Sequence, residues 1–474
     1  MTQISQTTSH PKTWEIAHFG LRIANWLVGK NPPSAIRNPQ CEGVGTNSTD
    51  HLAATNQLSC DEALSYLRKR ATPHRTVLMV TGSYAPDISG GGLQCRELVR
   101  ALQDRVGFTV LTTVTESATF ADTIVDGIPV HRIRVNPARW PSKLLAAARI
   151  LLLWVRRFNA LAIVHLHGFS SKSLLIIALA KLSGKRVMIK LASVGHDDPH
   201  TIRNRGRAAR WAYRQADCIV GPSPRFQELH ASSGLPQERF RLIPNGVDLA
   251  RFRPAEASER RALRAALGFP EHLPLILFVG FFSREKHPDL LFQAWSLLQQ
   301  QGIAPSGLVF VGATRSRYFE IEPQLSKTIR EHAKRLGLAD RLFFIERSHE
   351  MEHIYRCVDL YAMPSSREGL PNALLEAMAT SLPCVATRLP GVTETLIDHG
   401  INGLLVPPGN AAMLADALRC LLTDAEAARR MGQAARALVQ ERYSISHVAE
   451  RYLDIYDALL RKSERFASPR ASRR

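Results

Sequence analysis

The chain has 474 residues, enough for two or three domains, and 45% of them are hydrophobic, as in an ordinary globular protein. Its net charge of +19 is not ordinary and points to an anionic partner. No run of about 18 apolar residues occurs, which excludes a simple membrane-spanning helix. Cysteines at 41, 60, 95, 218, 357, 384 and 420 are odd in number and lack CxxC spacing, which argues against a disulfide framework or zinc site and for a reducing compartment.

Residues 1–74 are polar and irregular and read as a partly disordered extension with one or two short helices. Their first twenty residues lack the basic-then-apolar pattern of a secretory signal. From Arg75 the texture changes. "RTVLMVTG" is a short apolar run ending in a turn, the mark of a buried parallel strand. A Pro-Gly loop and the helical run "LQCRELVRALQ" follow. The rhythm repeats through "FTVLTTV", "PVHRIRV", "LAIVHLHG", "RVMIKLA", "DCIVGPS" and "FRLIPNG". The stretch "LLAAARILLLWV" (144–155) reads as a core helix.

Residues 248–272 break the rhythm and read as a linker with a short helix. A second series then runs from "LILFVG" to "GLLVPP" over residues 273–439. The chain closes with helices, of which about 440–461 cross back to the first domain, and a basic tail, 462–474. Strands alternating with helices predict α/β domains with open parallel sheets, and two in tandem place a ligand in the cleft between them. The charge is uneven. Residues 75–247 carry 24 Lys and Arg against 11 Asp and Glu, whereas residues 248–425 carry 19 against 20.

Candidate chemistry collects at the expected strand ends. The glycines Gly90, Gly91 and Gly92 lie between the first strand and its helix, where bare backbone N–H groups can approach a phosphate. "HLHGFSSK" leaves His167 at a strand's carboxyl end and His165 inside the strand as a core histidine. "KLASVGHDDP" offers Lys190, Asp197 and Asp198, read as acceptor-side or capping groups because no matching ligand cluster accompanies them. Arg203, Arg207, Arg210 and Arg214 fall on one helix face, which is either solvated or set against an anionic membrane. Arg284 and Lys286 form a cationic turn suited to a diphosphate. In "REGLPNALLEA", Glu368 and Glu376 frame a turn in which Pro371 opens a helix.

With these residues in place, the chain resembles the retaining glycosyltransferases of the GT-B fold, family four, over about residues 75–460. The E-x7-E pair Glu368/Glu376, "PGVTETLIDHGINGLLVPPGN" (390–410) and "RFRLIPNGVDLARFRP" carry the resemblance. It implies two Rossmann-like doubly wound domains, 75–247 and 273–439, facing a central cleft. Glu368 would bond donor-sugar hydroxyls, with the backbone of Gly369, Leu370, Pro371 and Asn372 near sugar and phosphate. Glu376 would hold the ribose, Lys286 would neutralise the leaving diphosphate, and His167 would lie near the sugar's reactive face. Gly91 and Gly92 would underlie the diphosphate.

The family's usual glycine-arginine is Gly280-Phe281 here, which leaves Arg284 as the nearest arginine. The resemblance implies no metal and no cofactor beyond the nucleotide-sugar substrate. It also implies a glycan or lipid-linked acceptor. With the basic first domain, the expectation is a cytoplasmic enzyme, peripheral on the inner membrane face, in bacterial cell-surface or exopolysaccharide biosynthesis. A catalytically idle sugar-nucleotide-binding or membrane-docked scaffold is the alternative. Nucleic acid is not expected, for no binding motif accompanies the charge.

Overall fold

The computed structural model describes residues 75–467 except 88, 115–121, 303 and 315–320, with side chains described to 461. The extension 1–74 and the last residues of the basic tail lie outside the described residues.

Among the described residues the first sheet has eight strands: β1 (Thr76–Thr81), β2 (Gly107–Val114), β3 (Thr123–Val125), β4 (Ile128–Arg134), β5 (Ile163–His167), β6 (Arg186–Lys190), β7 (Cys218–Gly221) and β8 (Phe240–Leu242). Their spatial order is β3-β4-β2-β1-β5-β6-β7-β8. The second has six: β9 (Leu275–Val279), β10 (Gly307–Val311), β11 (Leu342–Ile345), β12 (Leu360–Met363), β13 (Cys384–Thr387) and β14 (Leu404–Val406), in the order β11-β10-β9-β12-β13-β14.

Both sheets are doubly wound. In the first, the helix after β1 (Gly90–Leu102) packs on one face with Val77, Met79 and Val99, whereas the helix after β5 (Ser171–Leu182) packs on the other with Leu78, Val80 and Ile176. The chain therefore changes direction between β1 and β5, and a crevice opens at their carboxyl ends. In the second, the same happens between β9 and β12, whose following helices, Pro288–Gln301 and Asn372–Ala379, lie on opposite faces. The two crevices face each other.

The helix Ile445–Ala467 crosses back onto the first sheet, where Val448, Tyr452 and Tyr456 join Met79 and Leu98 in the core. Two chain segments cross side by side between the domains: Val247 N donates to Tyr443 O at 2.9 Å, and Ile445 N donates to Val247 O at 2.9 Å. Within 248–272, the helix Ala257–Ala266 is docked on the second domain rather than spanning the gap. Its buried Arg264 donates to the carbonyls of Cys357, Pro270, Glu271 and Leu273 and to Asp359. One guanidinium thus satisfies four backbone carbonyls at once and pins the loop 270–273 to the end of the helix Met351–Cys357.

Several elements differ from the sequence expectation. Strand β3 is antiparallel to β4, joined by Asp126-Gly127, both at positive φ. This is the Asp-Gly hairpin signal, overlooked inside an otherwise parallel pattern. The helical arginine face is split, because Gly206 (φ 100°) ends one helix and starts the next. Arg203, Arg207, Arg210 and Arg214 are all exposed. The stretch 144–155 is helical, but it is only half core: Ala146, Ile150, Leu153 and Trp154 are buried, while Leu144, Leu145, Leu151, Leu152 and Val155 are exposed.

Candidate active site

The glycine triplet belongs to a helix, not to the loop before it. Ser89 caps the helix Gly90–Leu102 by accepting from Gly92 N at 3.1 Å. The two glycines read as phosphate-facing have different surroundings. A Cβ on Gly92 would stand 2.5 Å from Ser83 O, so this glycine serves close packing against the β1 loop. Gly91 has open space on its Cβ side.

Across the cleft, the helix Asn372–Ala379 begins directly after Pro371, which fixes the extended entry. The first residues of these two helices meet: Asn372 Nδ2 donates to Gly90 O at 3.1 Å. Asn245, at the turn after β8, holds this end in place by donating to Leu370 O at 2.9 Å and to Asn372 Oδ1 at 2.8 Å. Two positive helix ends, one from each domain, thus converge on one spot. Gln94 makes two hydrogen bonds to the backbone of Gly246: its Nε2 donates to Gly246 O at 2.9 Å and its Oε1 accepts from Gly246 N at 3.1 Å. Sequence reasoning missed Asn245 and Gln94. The "PNG" turn was a signal for the first, and nothing local marked the second.

Lys286 and Glu368 come together because β9 and β12 are neighbours. Lys286 Nζ donates to Glu368 Oε1 at 2.5 Å, with the Glu368 side chain only 10% exposed. The residues beside them pair in the opposite sense, Arg367 Nε donating to Glu285 Oε2 at 3.0 Å. The Arg367 guanidinium also meets His196 of the first domain, so this pair reaches across the cleft. Ser366 N donates to Glu285 O at 2.8 Å and clips the two loops together.

Glu376 lies in the second turn of the Asn372 helix. Burial pushes its carboxyl up to about 7, against the lowering influence of Tyr355 and Arg251. Tyr355 itself donates to Ala373 O at 3.1 Å. Leu370 is buried in the second-domain core.

His167 ends β5 in the facing domain. It is buried, stacked on His165 with ring centroids 4.4 Å apart, and neither ring nitrogen bonds within the described residues. Burial, with His165 and Lys190 adding to it, holds the ring neutral far below the usual histidine range. A neutral ring can donate from one nitrogen and accept at the other. His165 bonds Tyr456 through Nδ1 at 2.8 Å, as a core histidine would.

Three assignments change. Arg284 is not at the cleft with Lys286. Its side chain is 83% exposed and paired with Glu322 at 2.8 Å, because the turn after β9 aims positions 284 and 286 in different directions. Lys190 is not a surface group. It lies buried against Tyr452, 5.6 Å from the ring centre, and burial pulls its ammonium down to about 8. Asp197 is buried and holds its own loop, accepting from Ala192 N at 2.9 Å and Ser193 N at 2.8 Å, while Asp198 caps the next helix. That geometry leaves Asp197 a loop-forming role rather than an acceptor contact.

At Gly369 the two domains approach closely, since a Cβ there would stand 2.0 Å from Ala192 O of the first domain. Gly369→Ala is therefore expected to hold the domains apart and lower turnover about a hundredfold, with nucleotide binding by the second domain changed little. Parallel kinetic and calorimetric titrations check this, and equal losses in both would contradict it.

Two family descriptions match the chain. "Glycosyl transferase 4-like domain" matches residues 89–246, and "Glycosyl transferases group 1" matches residues 259–438. A D-inositol 3-phosphate glycosyltransferase of Nocardia farcinica is 31% identical over 277 residues, 57% of this chain and 59% of that protein. For a second such relative, from Xylanimonas cellulosilytica, the matched share of the relative is 52%. The N-acetyl-alpha-D-glucosaminyl L-malate synthase of Bacillus anthracis is 25% identical over 385 residues, 79% of this chain and 96% of that one.

Among solved structures, Anabaena HepE in complex with UDP and glucose superposes with a TM-score of 0.67 at 20% identity, covering 81% of this chain and all of that one. The sucrose-phosphate synthase of Thermosynechococcus elongatus gives 0.68 at 21%, covering 82% of this chain and all of that one. These likenesses carry the fold. With two doubly wound domains closing on a paired lysine and glutamate, and both domains matched in turn, the chain belongs to the group 1 glycosyltransferases of the GT-B fold.

Proposed function

We propose that this protein moves a sugar from a nucleotide-diphosphate sugar to a glycan or lipid-linked acceptor, with retention at the anomeric carbon and without a metal. The observation that carries this reading is the meeting of two helix N-termini at Gly90 and Asn372, with Lys286 paired to Glu368 in the loop that leads into the Asn372 helix. Two positive ends brought into contact favour an anion beside them, where the free N–H groups of both can face it, and a diphosphate has the charge to answer both. Relatives named as glycosyltransferases and synthases of sugar conjugates support the same class.

In this reading Glu376 takes the ribose hydroxyls and Glu368 the sugar hydroxyls. The bond from the anomeric carbon to the diphosphate oxygen breaks as the acceptor oxygen bonds the same face. The acceptor's proton passes to the departing phosphate oxygen, and a nucleoside diphosphate leaves. Lys286 and the two helix ends stabilise the charge that grows on the leaving group, the largest electrostatic demand of the step. His167 lies on the sugar side and offers a neutral hydrogen-bonding ring. The basic first domain supports peripheral contact with an anionic membrane, and a role in cell-surface or exopolysaccharide assembly accords with that contact.

A binding screen of UDP-, GDP- and ADP-sugars, followed by turnover on the best donor, tests the reading. One donor class is expected to bind at micromolar to millimolar levels. Binding with no turnover on any glycan or lipid-linked acceptor favours the idle scaffold, and no binding at all removes both.

A further inference from the structure

The helix Trp140–Leu153 and the wide turn Trp154–Phe158 that extends it have two apolar sides. One packs Ala146, Ile150, Trp154 and Phe158 into the first-domain core. The other presents Trp140, Leu144, Leu145, Leu151, Leu152 and Val155, which are between 40 and 72% exposed. A helix needs one apolar side to pack on its domain, and a cluster of large exposed apolar side chains on a second side marks an interaction surface. Arg149 and Arg156, seven residues apart, flank the bare stripe, and both are exposed.

The neighbours sharpen this. The helices Ser171–Leu182 and Arg207–Arg214 lie in the same layer on the same face of the first sheet. That layer adds Leu182, 61% exposed, and the exposed Arg203, Arg207, Arg210 and Arg214. Residues 140–158, 171–182 and 199–214 contain no aspartate or glutamate at all. The face is thus apolar along one helix and cationic along another.

We infer that this helix layer seats on an anionic phospholipid bilayer, with the bare stripe of 140–155 at the boundary of headgroups and acyl chains and the arginines on headgroup phosphates. The inference rests on the membrane contact proposed above and says which surface makes it and how. Charge complementarity selects the occupant: a second copy of this chain would bring the same cations together, whereas anionic lipid satisfies both the charge and the apolar stripe. Among the described residues no helix is long and apolar enough to cross a membrane, so the stripe lies in the surface instead of spanning it. The helix starts after the carboxyl end of β4, so Trp140 lies at the cleft end of the domain. A lipid-linked acceptor would then reach the cleft from the bilayer without leaving it.

The test is sedimentation of the full chain with vesicles of phosphatidylglycerol and phosphatidylethanolamine, and with phosphatidylcholine alone. Binding to the anionic vesicles only is expected, with part of it surviving about 0.5 M salt because apolar insertion is not screened. Leu145→Glu/Val155→Glu is expected to lower partitioning about tenfold or more, at an unchanged melting temperature, since both side chains are on the surface. Replacing the four arginines by glutamine is expected to remove mainly the salt-sensitive part.

If the double variant sediments like the wild type while the arginine variant does not, membrane contact stands and the inserted stripe is overturned. If the wild type binds no vesicles, both fall. Loss of self-association in the double variant, without loss of vesicle binding, would make the stripe a contact between copies and overturn the inference. Vesicle binding that appears only after deletion of residues 1–74 would mean those residues cover the stripe, with the same consequence. Turnover on a water-soluble acceptor is measured separately, so failure of the sugar-transfer reading is distinguishable from failure of the docking surface.

Discussion

Lys286→Ala is expected to lower turnover about a thousandfold, with a smaller change in donor binding. The ammonium is in place before reaction, 2.5 Å from Glu368, and the backbone clip between Ser366 and Glu285 fixes both loops. In the proposed reading, a cation held this way requires no reorganisation when charge develops on the leaving diphosphate. Removal also leaves the Glu368 carboxylate, which is 10% exposed, without its partner. The variant is therefore expected to lose some thermal stability as well, on the order of 1–3 kcal/mol. Arg284→Ala is the control. Its side chain is 83% exposed and engaged by Glu322, so turnover should stay within about twofold. Steady-state kinetics on both variants checks the contrast, and an equally large loss in Arg284→Ala would restore that arginine to the diphosphate.

Glu376→Gln is expected to weaken nucleotide binding about tenfold to a hundredfold at about pH 8, because in the proposed reading the wild-type carboxylate accepts from two ribose hydroxyls and the amide has only one accepting oxygen. The pH dependence follows from burial, which pushes the Glu376 carboxyl from the usual 4.5 up to about 7. Wild-type affinity should therefore fall as pH drops through about 7 and the carboxyl takes up its proton, whereas Glu376→Gln should show no such step.

Stability moves the other way. A raised pKa in the folded state favours folding below the unfolded value, and that contribution is lost as pH rises through the folded one. The ionised carboxylate thus costs the folded protein up to roughly 3 kcal/mol above pH 7. Glu376→Gln should melt higher than wild type there and converge with it near about pH 4. Thermal scans across pH check the sign. A variant less stable than wild type at high pH would show that Arg251 and Tyr355 outweigh burial.

Much of this protein was legible in its residues. Continuous apolar runs such as "TVLMVT" and "LILFV" become central strands buried on both faces, because a parallel sheet covered by helices has no wet side. His167 closes such a run, and Lys286 and Glu368 stand in the loops that follow two others, so their place at the cleft end of a sheet followed from period and turn signals. The same local reading failed where orientation or depth mattered. Arg284 and Lys286 are two residues apart in one turn, yet one points to solvent and the other to Glu368. Lys190 pairs in register with His167 on the neighbouring strand and is drawn under the helix Ile445–Ala467, which arrives from more than 250 residues away. The stretch 144–155 is apolar enough to read as core on every side, and only the layering of helices on the sheet leaves one side bare.

The sequence by itself determined the alternation of strands and helices, the two-domain division and the strand ends on which polar residues stand. These depend on side-chain period and turn chemistry over a few residues, which any stretch carries within itself. The tertiary structure alone decided which strand ends are neighbours. Placing β1 beside β5 sets the glycine helix next to His167, and placing β9 beside β12 joins Lys286 to Glu368. That order is chosen by how helices on two faces bury their apolar stripes against a common sheet, a sum over contacts far apart in the chain that no local pattern encodes.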